Sequence, residues 1–116
     1  MRLRIELFPA DLDATIAFYS TALGFAVERR EPGYATLERD GTRIGAAVRS
    51  PVPDGSARRP PTGVEIVLEV IDLAAERERV RRSGWPVVED VMERPWGLTD
   101  FRVVDPDGYY LRVTTA

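Results

Sequence analysis

One pattern occurs twice in this chain, and it constrains the fold more than any single residue does. The opening Asp11-Leu12-Asp13-Ala14 runs to Gly24-Phe25, and Asp72-Leu73-Ala74-Ala75 runs to Gly84-Trp85. Each copy follows a strand-like run, Leu3 to Phe8 and then Val64 to Val70. A unit repeated at about half the chain length predicts two copies of one supersecondary motif, with any pocket where they meet. It also supplies a register for comparing the copies position by position.

Local patterning fills in each copy. Leu3, Ile5 and Leu7 alternate with Arg2, Arg4, Glu6 and Phe8, as in a half-buried strand. Asp11 caps a helix with Leu12, Ile16, Tyr19 and Leu23 at helical spacing, and Gly24 stops it. Strands are predicted over about 25–30, 34–38 and 43–49, turning at Glu31-Pro32-Gly33 and at the hairpin signal Asp40-Gly41. In the second copy, a helix runs from Asp72 to near Gly84, followed by strands over about 85–90, 100–104 and 109–114. Asp105-Pro106-Asp107-Gly108 has the acid, proline and glycine placement of a type I turn. Each half therefore reads β-α-β-β-β, an α+β chain. The expected organisation is a single domain of two modules, about 1–50 and 63–116, joined by a proline-rich linker over about 51–62.

Composition narrows the chemistry. The chain has 116 residues, 44% of them hydrophobic and 30% charged, and a formal net charge of −3. That is ordinary for one globular domain, and no basic stripe marks a nucleic-acid binder. No apolar run approaches the roughly 20 residues of a membrane helix. The charged start Met1-Arg2-Leu3-Arg4 is unlike a signal peptide, so a cytoplasmic setting is expected. There is no cysteine, no histidine and no lysine; all 16 basic residues are arginine. Thiolate, Ser-His and lysine Schiff-base chemistry are therefore excluded. The run from Glu76 to Arg82 alternates in sign, as on a solvated helix face.

The segment Asp11 to Tyr19 with Leu23-Gly24-Phe25 resembles the vicinal oxygen chelate superfamily, which includes glyoxalase I, extradiol dioxygenases and bleomycin-resistance proteins. Pro95-Trp96-Gly97, Phe101 and Asp105-Pro106-Asp107-Gly108 lean toward its bleomycin-resistance and glyoxalase-like branch. The resemblance implies two βαβββ modules forming a cupped mixed sheet with helices outside, enclosing a small-molecule cavity and built as a homodimer. Metal-dependent members carry ligands on the first and last strand of each module. Here those positions fall at Arg4, at Glu65, at Arg112 and, in the first module, near Gly45 or Ala47. Such a set lacks donors for a divalent cation, because guanidinium stays protonated. No metal or other cofactor is therefore expected. Glu65 and Arg112, joined by Arg4, are expected to form an ion-paired network in its place.

Strand parity puts Arg4 with Glu6, Glu65 with Val67 and Glu69, and Arg112 with Tyr110. The candidate ligand-binding residues are Trp96, Arg4, Glu6, Glu65, Tyr110, Arg112 and Tyr34; no catalytic residue is assigned. Trp96 offers an indole for stacking, whereas Phe18, Tyr19, Phe25 and Trp85 read as core. The favoured function is a metal-free protein that binds and sequesters an antibiotic or metabolite. The alternative is a metal-dependent, glyoxalase-like lyase, isomerase or dioxygenase, which requires a two-residue slip that makes Glu6 a donor. A metal-free enzyme using a strand carboxylate as base and a pure interaction module have no residue-level support.

Overall fold

The computed structural model describes residues 1–48 and 63–115, and the chain divides into two compact units, Met1–Arg59 and Pro60–Ala116. In the first unit the order is β1 (Ile5–Leu7), α1 (Leu12–Ala17), a π-helical turn (Phe18–Ala22), β2 (Ala26–Glu31), β3 (Tyr34–Arg39) and β4 (Thr42–Ala47). In the second it is β5 (Ile66–Val70), α2 (Leu73–Ser83), β6 (Glu89–Glu93), β7 (Thr99–Val104) and β8 (Tyr110–Thr115). Each unit thus has the β-α-β-β-β order and holds one four-stranded mixed sheet, ordered β1-β4-β3-β2 and β5-β8-β7-β6. The first strand of each runs parallel to the last, and the remaining pairs are antiparallel. The expected linker and the end of the strand drawn to Arg49 lie outside the described residues. Among those residues no helix is long and apolar enough to cross a membrane.

The repeated aspartates act as caps in both copies. Asp11 and Asp72 are extended, and their carboxylates accept from the amides of Ala14 and Ala75 at 3.2 and 3.0 Å. Each satisfies an amide that the first helical turn leaves without a partner. The first helix then loosens into the π turn, and past Gly24, at φ 71°, the Phe25 amide donates back to Tyr19 carbonyl at 2.9 Å and closes the helix end. This wider turn places Phe18 and Tyr19 edge to face at 4.9 Å, and Tyr19 against Phe25 at 6.0 Å. All three rings are buried beside Leu7, Ala35, Leu37, Ile44 and Ala46. That face of the first sheet carries α1. In the second unit, Leu73 and Val80 of α2 are buried with Phe101, Val103, Leu111 and Val113.

Two strand ends depart from the sequence expectation for identifiable reasons. The strand expected over 85–90 begins only at Glu89, with Val88 amide donating to Arg102 carbonyl at 2.8 Å. Pro86 has no amide to donate, and the Trp85 indole N–H instead donates to Val104 carbonyl at 2.8 Å. β1 is shorter than 3–8 because its ladder with β4 covers only Ile5, Glu6 and Leu7, and Leu3 is exposed. The Asp40-Gly41 hairpin forms as read, with φ of 50° and 81° at the two residues, the left-handed pair of a type I′ turn.

Candidate functional site

In each unit the polar candidates lie on the sheet face away from the helix, because side chains alternate along a strand. On the first sheet, Glu6 pairs in register with Gly45, Thr36 with Gly45 from the other side, and Tyr34 with Ala47. The Glu6 carboxylate folds back over Gly45, where a Cβ would overlap it. Arg4 donates to that carboxylate at 2.7 Å, with the arginine more than half exposed. Tyr34 hydroxyl accepts from Thr36 Oγ1 at 3.3 Å. Arg4, Glu6 and Tyr34 therefore belong to one face, with Gly45 and Thr36 between them.

The ladder also resolves which first-module residue corresponds to Arg112. Glu6 and Val67 stand at the same distance before the capping residues Asp11 and Asp72. Glu6 is partnered with Gly45, and Val67 with Arg112. Gly45, not Ala47, is the equivalent position.

The second sheet carries a denser set of charges. Arg112 Nε lies 3.0 Å from Glu65 Oε1, so the expected Glu65–Arg112 pair forms. Arg4, in the first unit, is paired with Glu6, two residues along the same strand face. Tyr110 hydroxyl accepts from Arg102 Nη1 at 3.1 Å, and the Arg102 guanidinium carbon lies 5.8 Å from the Tyr110 ring centre. Trp96 occupies the turn between β6 and β7, closed by Gly97 amide donating to Arg94 carbonyl at 2.9 Å, and is 58% exposed.

Four further charged residues, absent from the sequence-derived set, organise this face. Asp100 is wholly buried and accepts from Arg94 Nε at 2.9 Å and Arg94 Nη2 at 2.7 Å. Arg94 Nη2 also donates to Glu89 at 2.7 Å. Arg102 Nε stands 3.5 Å from both Glu89 and Asp100, too far for a good hydrogen bond. Burial alone would raise the Asp100 carboxyl, but the Arg94 hydrogen bonds and the charges of Arg94 and Arg102 hold it below the ordinary aspartate range. The available signal was parity: Asp100 and Arg102 alternate with buried Phe101 and Val103, so they must face away from α2.

The positions at which the resemblance implies metal ligands thus hold Arg4, Gly45, Glu65 and Arg112. Two are permanently protonated guanidinium groups, one has no side chain, and the sole carboxylate is engaged by Arg112. Among the described residues no three histidine, cysteine, aspartate or glutamate side chains are grouped to hold a metal ion. This donor set does not fit a divalent cation.

Solved structures with the same fold were found over nearly the whole chain. A bleomycin resistance determinant encoded on transposon Tn5 is 26% identical, with a TM-score of 0.77, covering 99% of this chain and 97% of its own. A bleomycin-binding protein complexed with bleomycin is 25% identical, with a TM-score of 0.76, covering 100% and 98%. A glyoxalase-related enzyme from Fulvimarina pelagi shares the fold at 20% identity and a TM-score of 0.78, covering 100% and 88%. No curated protein matches the chain in sequence. The family model for the Glyoxalase/Bleomycin resistance protein/Dioxygenase superfamily matches residues 3–113, and the chain belongs to that superfamily.

Proposed function

We propose that this protein is a metal-free small-molecule binder of the bleomycin-resistance type, sequestering an antibiotic or metabolite without converting it. The observation that carries this reading is the Glu65–Arg112 ion pair at a position where the metal-dependent branch needs free donors. A carboxylate neutralised by guanidinium is a poor ligand for a cation and a poor base, yet it still orients a bound molecule. The likeness to the Tn5 bleomycin resistance determinant and to a bleomycin-binding protein supports the same reading. The exposed Trp96 indole supplies a stacking surface. Arg4, Glu6, Tyr34, Tyr110 and Arg112 contribute orientation. In this reading the protein works in the cytoplasm as a homodimer, which sedimentation at micromolar concentration tests.

The main test is tryptophan emission during titration with bleomycin, on the wild-type protein and on Trp96→Phe. A saturable change that weakens in the variant is expected; an emission that stays flat with bleomycin and with a panel of other antibiotics would overturn the reading. Elemental analysis accompanies it. Stoichiometric zinc, nickel, iron or manganese together with a metal-dependent thermal shift would replace sequestration by the lyase, isomerase or dioxygenase alternative.

A further inference from the structure

We infer that Arg102 and Arg112 form an oxyanion-recognising pair on the second sheet, binding a carboxylate or phosphate group of the small molecule. This rests on the small-molecule-binding reading and names the chemistry of one end of its ligand. The two arginines are direct partners across β7 and β8, on the face away from α2. Like charges directly opposite one another in an antiparallel pair are destabilising. Such a pair is costly to keep unless something negative sits against both.

The nearby carboxylates do not fully serve that purpose. Asp100 and Glu89 accept their hydrogen bonds from Arg94 and reach Arg102 Nε only at 3.5 Å. The one hydrogen bond Arg102 makes among the described residues is to Tyr110, a neutral phenol. Its Nε is buried and makes no hydrogen bond, with only the two distant carboxylates against it. Arg112 makes no aligned hydrogen bond among the described residues, since its Nε approaches Glu65 without the geometry of one. Glu65 precedes β5, and its side chain is 35% exposed, so it is free to swing aside. It acts as an internal placeholder for the ligand's oxyanion. Two planar guanidinium groups carried by paired positions of neighbouring strands then offer forked donors of the kind that match a carboxylate or phosphate.

The test uses the ¹⁵N-labelled whole protein, with the arginine Nε–Hε resonances followed during titration with inorganic phosphate and, separately, benzoate. Saturable shifts at both Arg102 and Arg112 are expected with at least one probe, and the responding probe identifies a phosphoryl or a carboxylate ligand. Arg112→Lys and Arg102→Lys keep the charge but lose the fork, and each is expected to weaken binding roughly tenfold. Glu65→Gln removes the placeholder and is expected to tighten binding about fivefold, the order of one partly exposed ion pair. A gain in affinity cannot arise from a variant that folds poorly. No saturable shift with either probe, an unchanged response in Arg112→Lys, or weaker binding in Glu65→Gln would each overturn the inference. Bleomycin titration of the same sample separates the two claims. Bleomycin binding without an oxyanion response sinks only this inference, and an oxyanion response without antibiotic binding sinks only the antibiotic reading.

Discussion

Replacing Arg94 by methionine isolates what the buried charges of the second sheet contribute. Methionine keeps an unbranched, space-filling side chain and removes both hydrogen bonds to Asp100, at 2.9 and 2.7 Å, and the one to Glu89. Asp100 is left wholly buried, with Arg102 at 3.5 Å as its nearest cation. Breaking a buried pair by deleting one partner costs about 3–5 kcal/mol. A shift of Arg102 toward Asp100 recovers about 1 kcal/mol of this. The expected loss near neutral pH is therefore about 2–4 kcal/mol, lowering the melting temperature by roughly 10–20 °C.

The pH dependence gives the sharper check. In the wild type the Asp100 carboxyl is held low, so its contribution is fully present above the unfolded aspartate value and lost as pH falls through the folded one. In Arg94→Met, burial dominates and the folded value rises above the unfolded one. Protonation then favours the folded state below the unfolded value, and that advantage is lost as pH rises through the folded value. Urea unfolding followed by circular dichroism should show a larger penalty at about pH 7 than at about pH 4.5. Adding Asp100→Asn to the variant should return part of the loss. A penalty below about 1 kcal/mol at neutral pH, or one equal at both pH values, would refute the reasoning.

Gly45→Ala should displace only the Glu6 carboxylate, a flexible side-chain end, from Arg4. Reduced unfolded-chain entropy and the lost exposed pair offset one another, so the thermal melt should move by less than about 1 kcal/mol while the Glu6 amide resonance shifts. Asp72→Ala should cost about 1 kcal/mol and Asp72→Ser far less, as read from denaturant midpoints. Asp90, held at about 2 by hydrogen bonds from Arg77 and the Val91 amide, should rise toward the ordinary aspartate value in Arg77→Gln while the Val91 bond keeps it below that value, as followed by carboxyl ¹³C shifts. Its contribution in the wild type is present above the unfolded value and fades as pH falls toward that depressed one.

What the sequence showed directly was local or periodic. The caps at Asp11 and Asp72 act on amides three residues away, and the Asp40-Gly41 hairpin depends on its own two residues. The Asp105 turn is similar: Gly108 amide donates to Asp105 carbonyl at 3.0 Å, and Asp105 carboxylate accepts from Asp107 and Tyr109 amides. The Glu65–Arg112 pair followed from the ligand positions that the superfamily resemblance implies, with strand parity in agreement. The π turn had no marker, because Phe18 to Ala22 carry on the helical spacing of the turn before them and nothing in that pattern separates a wider turn from an ordinary one. The Arg94–Asp100–Glu89 cluster depends on how β6 lies against β7, and that pairing shifts irregularly between Glu89 and Met92. Periodicity carries no record of such a shift.

The ionic lattice of the second sheet sets where the molecule is sensitive to its solution. Its cations are all guanidinium, which keeps its proton in alkali, and the chain has no imidazole, thiol or lysine amine to change state near neutrality. The field around Arg94, Arg102 and Arg112 is therefore constant from mildly acidic to mildly alkaline water. It changes only when acid reaches the carboxylates, whose loss of charge leaves the face more positive, so ordinary metabolic swings in acidity pass it by.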